Sequence, residues 1–175
     1  MHLDTISKTL GRFLKESPIA LTLASPGFDD CPIVLINDAF TRLTGYTGDF
    51  VLGRNCRFMQ GADTEESARM ALRRAIIDKT ETVVPITNYR RDGSRFRNLV
   101  FLFPILDANG SLLYMLGSQY DVTAPAKSVS PVEHGQILDE VISINAPILA
   151  HKEQLRIETK LKLADLVSDV LDGSR

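Results

Sequence analysis

The sequence predicts an α+β fold, a five-stranded antiparallel sheet with short helices packed on it, plus an N-terminal helix and a C-terminal helical extension. Three observations carry this. Strand-like runs at about 81–90, 94–106 and 111–122 are joined by Arg91-Asp92-Gly93 and by Asp107-Ala108-Asn109-Gly110, both hairpin signals. Two shorter apolar runs, Ile19 to Ala24 and Ile33 to Asn37, flank the turn-rich loop from Ser25 to Pro32 and supply the remaining strands. Between the two sets, Gly45, Gly48 and Gly53 punctuate short helical pieces anchored by Phe40, Leu43, Tyr46, Phe50, Val51 and Leu52. Such pieces make a poor core alone but a good wall for a pocket.

Taken in order, residues 3–16 place Leu3, Ile6, Leu10, Phe13 and Leu14 at helical spacing, ended before Pro18. After the glycine-punctuated stretch, Asp63-Thr64-Glu65-Glu66 reads as an Asp-led capping box. It opens a helix whose Ala68, Leu72, Ala75 and Ile76 share one face through Lys79. Pro85 falls inside the next strand and cannot donate to a ladder, so that strand belongs at an edge.

Beyond Val122, proline, alanine and serine mark a linker. Two helical stripes follow. Ile137 to Leu149 carries Pro147 as a bend, and Leu155 to Leu171 closes at Asp172-Gly173. The chain thus divides into an N-terminal helix (1–17), a core domain (18–123), a linker (124–134) and a helical extension (135–173). The broad apolar stripes of the extension predict a subunit interface, hence a homodimer through the terminal helices.

Composition narrows the partners. The 175 residues are 44% hydrophobic and 24% charged with net charge −2, which gives no basic field for nucleic acid or anionic lipid. Basic and acidic residues balance across 150–175, so a DNA-reading surface is not expected. No basic leader or long apolar run predicts export or a membrane span, and a cytoplasmic location is expected, where thiols stay reduced. Cys31 and Cys56 have no CxxC spacing and no nearby histidine, so no metal site is expected. Cys31, in a loop beside a proline, reads as incidental.

Alternation along the long strands puts Val84, Ile86 and Asn88 on one face of the first, Asn98, Val100 and Leu102 on one face of the second, and Leu113, Met115, Gly117 and Gln119 together on the third. An unpaired buried amide costs roughly 1–3 kcal/mol, so three amides among apolar residues are odd for a plain core. A flat heterocycle with donor and acceptor edges would satisfy all three.

The stretch around which the rest is organised is Gly53-Arg54-Asn55-Cys56-Arg57-Phe58-Met59-Gln60-Gly61. It sets a thiol between an amide, a guanidinium and a second amide, with a glycine at either end for sharp turns. A buried cysteine acting as a small hydrophobe would not need such polar neighbours.

This motif resembles the GxNCRFLQG signature of LOV domains, the flavin-binding blue-light sensors of the PAS superfamily, with Met59 replacing leucine. The resemblance covers about residues 18–123. Asn37-Asp38-Ala39-Phe40, Leu43-Thr44-Gly45-Tyr46, Asn88-Tyr89, Asp92-Gly93, Asn98-Leu99 and Gly117-Ser118-Gln119 follow in the family's order, and Arg73 lies where a second phosphate arginine is placed.

The resemblance implies FMN as cofactor, with Arg57 and Arg73 on its phosphate. Asn55 and Gln60 would lie along the ribityl chain and ring edge, and Asn88 and Asn98 on the pyrimidine edge. Val100 and Leu102 would lie against the ring, and Gln119 at the N5 and O4 side. It further implies that Cys56 is the photochemical nucleophile, forming a reversible cysteinyl bond to flavin C4a under blue light. Gln119 would relay the change to the terminal helices, altering dimerisation or the binding of a downstream protein. Val100 stands where many relatives have phenylalanine, and Pro85 also departs from the family pattern. The three histidines, His2, His134 and His151, lie outside the core, which disfavours a haem-binding sensor.

A small flavoprotein oxidoreductase or flavin-based redox sensor is the competing reading, although no GxGxxG follows a strand. A PAS dimerisation module without cofactor leaves Arg57, Arg73 and the amides unexplained.

Overall fold

The computed structural model describes residues 8–107, 109–124 and 129–144. Its elements are α1 (Lys8–Glu16), β1 (Ala20–Ala24), β2 (Ile33–Ile36), α2 (Asp38–Thr44), α3 (Gly48–Val51), a 3-10 turn (Cys56–Met59), α4 (Glu66–Asp78), β3 (Thr82–Tyr89), β4 (Arg95–Leu106), β5 (Leu112–Asp121) and α5 (Pro131–Ile144). The five strands form one antiparallel sheet in the order β2-β1-β5-β4-β3. β3 is an edge strand, as Pro85 requires. Proline sits opposite Leu99 without breaking a central ladder.

The sheet carries a core on each face. On one, Leu21, Leu23, Leu99, Phe101, Phe103 and Leu116 pack beneath Leu14 of α1 and Leu138 and Val141 of α5. On the other, Ala20 meets Phe40, Tyr46, Val51 and Met59 of the short helices, while Val84 and Ile86 meet Ala68 of α4. The second face is the one that bears the strand amides.

Asn37 fastens these layers. Buried to 3% exposure, its Oδ1 accepts from the N–H groups of Leu21 and Phe40, both at 3.0 Å, so one side chain caps α2 and holds β1. Its Nδ2 lies within reach of the carbonyls of Leu14, Ser17 and Ile19, at 3.2, 3.2 and 2.8 Å, which secures the exit from α1.

Two helix starts differ from the sequence expectation. α4 opens at Glu66, not at Asp63, because Asp63, Thr64 and Glu65 are engaged by β3 and β4. Tyr89 Oη donates to Asp63 Oδ2 at 3.0 Å, Thr64 Oγ1 to the Thr87 carbonyl at 2.7 Å, and the Thr87 N–H to Glu65 Oε2 at 2.8 Å. α5 opens at Pro131, inside the stretch read as linker. Proline suits the first helical position, and Ser130 Oγ caps the Glu133 N–H at 3.2 Å.

A third difference concerns what α5 covers. His134, Leu138 and Val141 are buried against α5's own sheet, so this part of the stripe is covered within the chain. Each full burial of such an aliphatic side chain contributes roughly 1.5–3 kcal/mol. Pro147, Ile148 and Leu149 of the first stripe, and the whole stripe from Leu155 to Leu171, lie outside the described residues.

Candidate functional site

Gly53, at φ 80, takes the left-handed conformation that turns the chain out of α3. Asn55 then caps the 3-10 turn, its Oδ1 accepting the Arg57 N–H at 3.1 Å with Cys56 Sγ at 3.8 Å. Met59 is driven into the core beside Val51 and Phe40, which leaves Cys56 exposed on the other side of the same turn. Cys56 is therefore not a buried hydrophobe. At the exit, a Cβ on Gly61 would lie 2.5 Å from the Tyr89 ring, so only glycine lets the motif close onto β3.

The amide wall assembles as the strand alternation predicts. Asn98, fully buried, donates from Nδ2 to Asn88 Oδ1 at 2.9 Å, and Asn88 donates to the Met59 carbonyl at 3.3 Å. The two asparagines are thereby tied to the cysteine turn. Gln119 faces Val100 across the β4–β5 ladder and Ala20 across β1, and its Nε2 donates to Thr22 Oγ1 at 3.3 Å. Leu102 sits opposite Gly117 on the same face. A Cβ on Gly117 would lie 2.6 Å from Thr22 Oγ1, so the close approach of Thr22 and Gln119 depends on that glycine. Two oxygens of this wall, Asn98 Oδ1 and Gln119 Oε1, are buried without a partner among the described residues. Leaving a polar group so costs roughly 1–3 kcal/mol each, which marks the wall as shaped for something beyond its own packing.

The motif's other polar groups divide. Asn55 Nδ2 donates to the Asp30 carbonyl at 2.6 Å, and Arg57 Nη1 pairs with Asp30 Oδ2 at 2.6 Å. Arg73 is exposed on α4, and Gln60 is half-buried; neither side chain has a bond among the described residues. Arg57 and Arg73 are thus not joined by any shared contact.

Burial keeps the Cys56 thiol protonated. Cys56 retains solvent-accessible surface as a residue, yet the protein mass around its sulfur raises the thiol's pKa, with Asp30 adding and Arg57 opposing. Cys31 is pushed up to about 11 by burial, then by Cys56 and Asp30. Near neutrality both are thiols.

Sequence reasoning missed two contributors: Asp30 holds both Asn55 and Arg57, and Thr22 orients Gln119. For Asp30 the only available signal was its place in a turn-rich loop. Thr22 could have been found from the pairing of β1 with β5, which a single sequence does not state.

Residues 22–124 match the PAS domain family, whose sheet-and-short-helix architecture is the one described above. A blue-light-activated histidine kinase of Erythrobacter litoralis is 44% identical over 109 residues, covering 62% of this chain and 30% of that protein. A blue-light-activated histidine kinase of Rhizobium johnstonii is 48% identical over 94 residues, 54% of this chain and 27% of that protein. The chain thus spans less than a third of the curated relatives' length. Among solved structures, the Rhodobacter sphaeroides LOV protein is 29% identical, covering 95% of this chain and 97% of that one with a TM-score of 0.77. The chain belongs to the LOV domains of the PAS superfamily.

Proposed function

We propose that this chain is a blue-light sensor that binds FMN between the amide wall and the cysteine turn. The observation that carries the reading is the pair of unpartnered buried oxygens, Asn98 Oδ1 and Gln119 Oε1, on the face that also holds the Cys56 turn. The one N–H of an oxidised flavin's pyrimidine edge complements Asn98 Oδ1, and Gln119 can turn its carboxamide to offer donor or acceptor to the opposite edge; relatives named as blue-light-activated kinases support the light-sensing part.

When bound, the flavin supplies the light absorption and the electronic chemistry. The chain supplies position. Asn88 and Asn98 read the ring's polar edge, Val100 and Leu102 bear on its apolar surface, and Gln119 meets the opposite edge. Asn55 and Gln60 lie along the sugar-alcohol chain. Arg57 exchanges Asp30 for phosphate, joined by Arg73 from α4. Cys56, kept as a thiol, is the side chain that would reach flavin C4a under illumination, its proton passing to N5 at the edge that Gln119 faces and returning to the sulfur in the dark.

The response leaves through Gln119. Its carboxamide can present oxygen or nitrogen, so a change of protonation at the ring edge rotates it against Thr22. Ser118, next in β5, faces the other core, where its Oγ lies 2.8 Å from His134 Nε2 of α5. The output is a shift in how the terminal helices pack, read as a light-dependent change in homodimer or as binding of a downstream protein, in the cytoplasm.

The test is optical. The purified holoprotein should be yellow, pale under blue light and recover in darkness, while Cys56→Ala should stay yellow without bleaching. Reversible bleaching that survives in Cys56→Ala would overturn the assignment, and colour without any bleaching in the parent would favour a redox flavoprotein.

A further inference from the structure

Cys31 was expected to be incidental, yet the loop that carries it is fastened to the cysteine turn at four points. Ile33 donates its N–H to the Arg54 carbonyl at 2.8 Å and accepts from the Gly53 N–H at 2.9 Å. Three residues earlier, Asp30 accepts from Asn55 Nδ2 and pairs with Arg57. These bonds lay residues 30–33 alongside 53–57, and they bracket both cysteines: Cys31 lies between Asp30 and Ile33, and Cys56 between Asn55 and Arg57. A disulfide spans Cα atoms about 4.4–6.8 Å apart, a separation that facing segments fastened by hydrogen bonds on both sides can reach.

The backbone at this point is unusual. Asp30 and Cys31 take φ of 68° and 47°, two consecutive non-glycine residues in the left-handed region. Such conformations cost energy and persist where the surroundings impose them, often at functional sites. The two thiols also feel one another, since Cys56 contributes to the raised pKa of Cys31.

We infer that Cys31 and Cys56 form a reversible intramolecular disulfide on exposure to a peroxide, and that this bond withdraws Cys56 from the light response; the second half rests on the function proposed above. Cys56, the more exposed of the two, attacks the peroxide oxygen as thiolate and becomes a sulfenic acid, releasing one molecule of water. Cys31 then attacks that sulfur and displaces a second water. Two thiols lose two electrons and two protons in all, and the peroxide is reduced to two waters. A dithiol reductant reverses the step by exchange. Because burial and Asp30 hold the thiols protonated against Arg57, oxidation quickens as pH rises from neutral.

The experiment treats the FMN-loaded full chain with hydrogen peroxide in the dark, counts free thiols under denaturing conditions, and maps linked peptides by mass spectrometry. The expected result is loss of both thiols together, a peptide joining residues 31 and 56 that is two hydrogens lighter than its parts, and restoration by dithiothreitol. Cys31→Ser should bleach normally in light when reduced, yet give no such peptide. Oxygen added to Cys56 with Cys31 still free, or links only between separate chains, would overturn the inference. Photobleaching should vanish in the oxidised parent and return on reduction; bleaching undiminished in fully disulfide-linked protein would overturn the gating half. A linked peptide in a protein that never bleaches, even reduced, would sink the photosensor reading while leaving the disulfide standing.

Discussion

Replacing His134 by phenylalanine should flatten the acid dependence of stability. His134 is 2% exposed, held between the Phe101 and Tyr120 rings at centroid distances of 5.4 and 5.2 Å, with Ser118 as hydrogen-bonding partner. Burial lowers its pKa from 6.5 to about 4. The folded state therefore resists a proton that the unfolded chain accepts below about pH 6.5, and stability falls as pH drops from there towards about 4. A gap from 6.5 to about 4 is worth at most roughly 3 kcal/mol, and linkage gives about 2 kcal/mol of it between about pH 7.5 and 5. Urea unfolding at those two pH values, followed by far-ultraviolet circular dichroism, reads this directly. The parent should lose about 2 kcal/mol and His134→Phe less than about 0.5 kcal/mol, whatever the absolute stability of the variant. Equal losses in both proteins would refute the argument, because the titration would then belong to another group.

Three further outcomes follow from named contacts. Asn98→Leu removes an orphan oxygen together with the bond donated to Asn88, so apoprotein stability should change by less than about 1 kcal/mol while FMN affinity measured by calorimetry drops at least about tenfold; unchanged affinity would remove Asn98 from the site. Although burial opposes the charge of Glu65, hydrogen bonds from Thr87 and the Arg97 charge hold its pKa at about 2 against 4.5. With that carboxylate about a third exposed, Glu65→Gln should cost about 1 kcal/mol at neutral pH, and the difference from the parent should disappear as pH falls through about 4.5 towards 2, as acid titration of thermal unfolding would show. Size-exclusion chromatography of the full chain in the dark and under blue light should give two elution positions; identical positions would leave partner binding as the output.

How much of this was legible before folding depends on the range of the interaction. All five strands, the edge position forced by Pro85 and the three-amide wall follow from two-residue alternation and hairpin turns, which are local. Helix starts were less legible because tertiary bonds compete for the capping groups. Asp63 could cap a helix, but Tyr89 and Arg95 claim its carboxylate. The destination of the α5 stripe was invisible for a different reason. An apolar stripe states that it needs cover, not whose, and here Leu138 and Val141 find the far face of their own sheet. The same holds for Asp30 and Cys31, whose roles arise only when the loop from Ser25 to Pro32 is laid beside the cysteine turn.

The central claim concerns one sulfur atom, and infrared spectroscopy of the S–H stretch observes it without reference to colour. Illumination of the FMN-loaded protein should remove the S–H band of Cys56, leave that of Cys31, and return the first in darkness. Bleaching accompanied by two unchanged S–H bands would contradict the account.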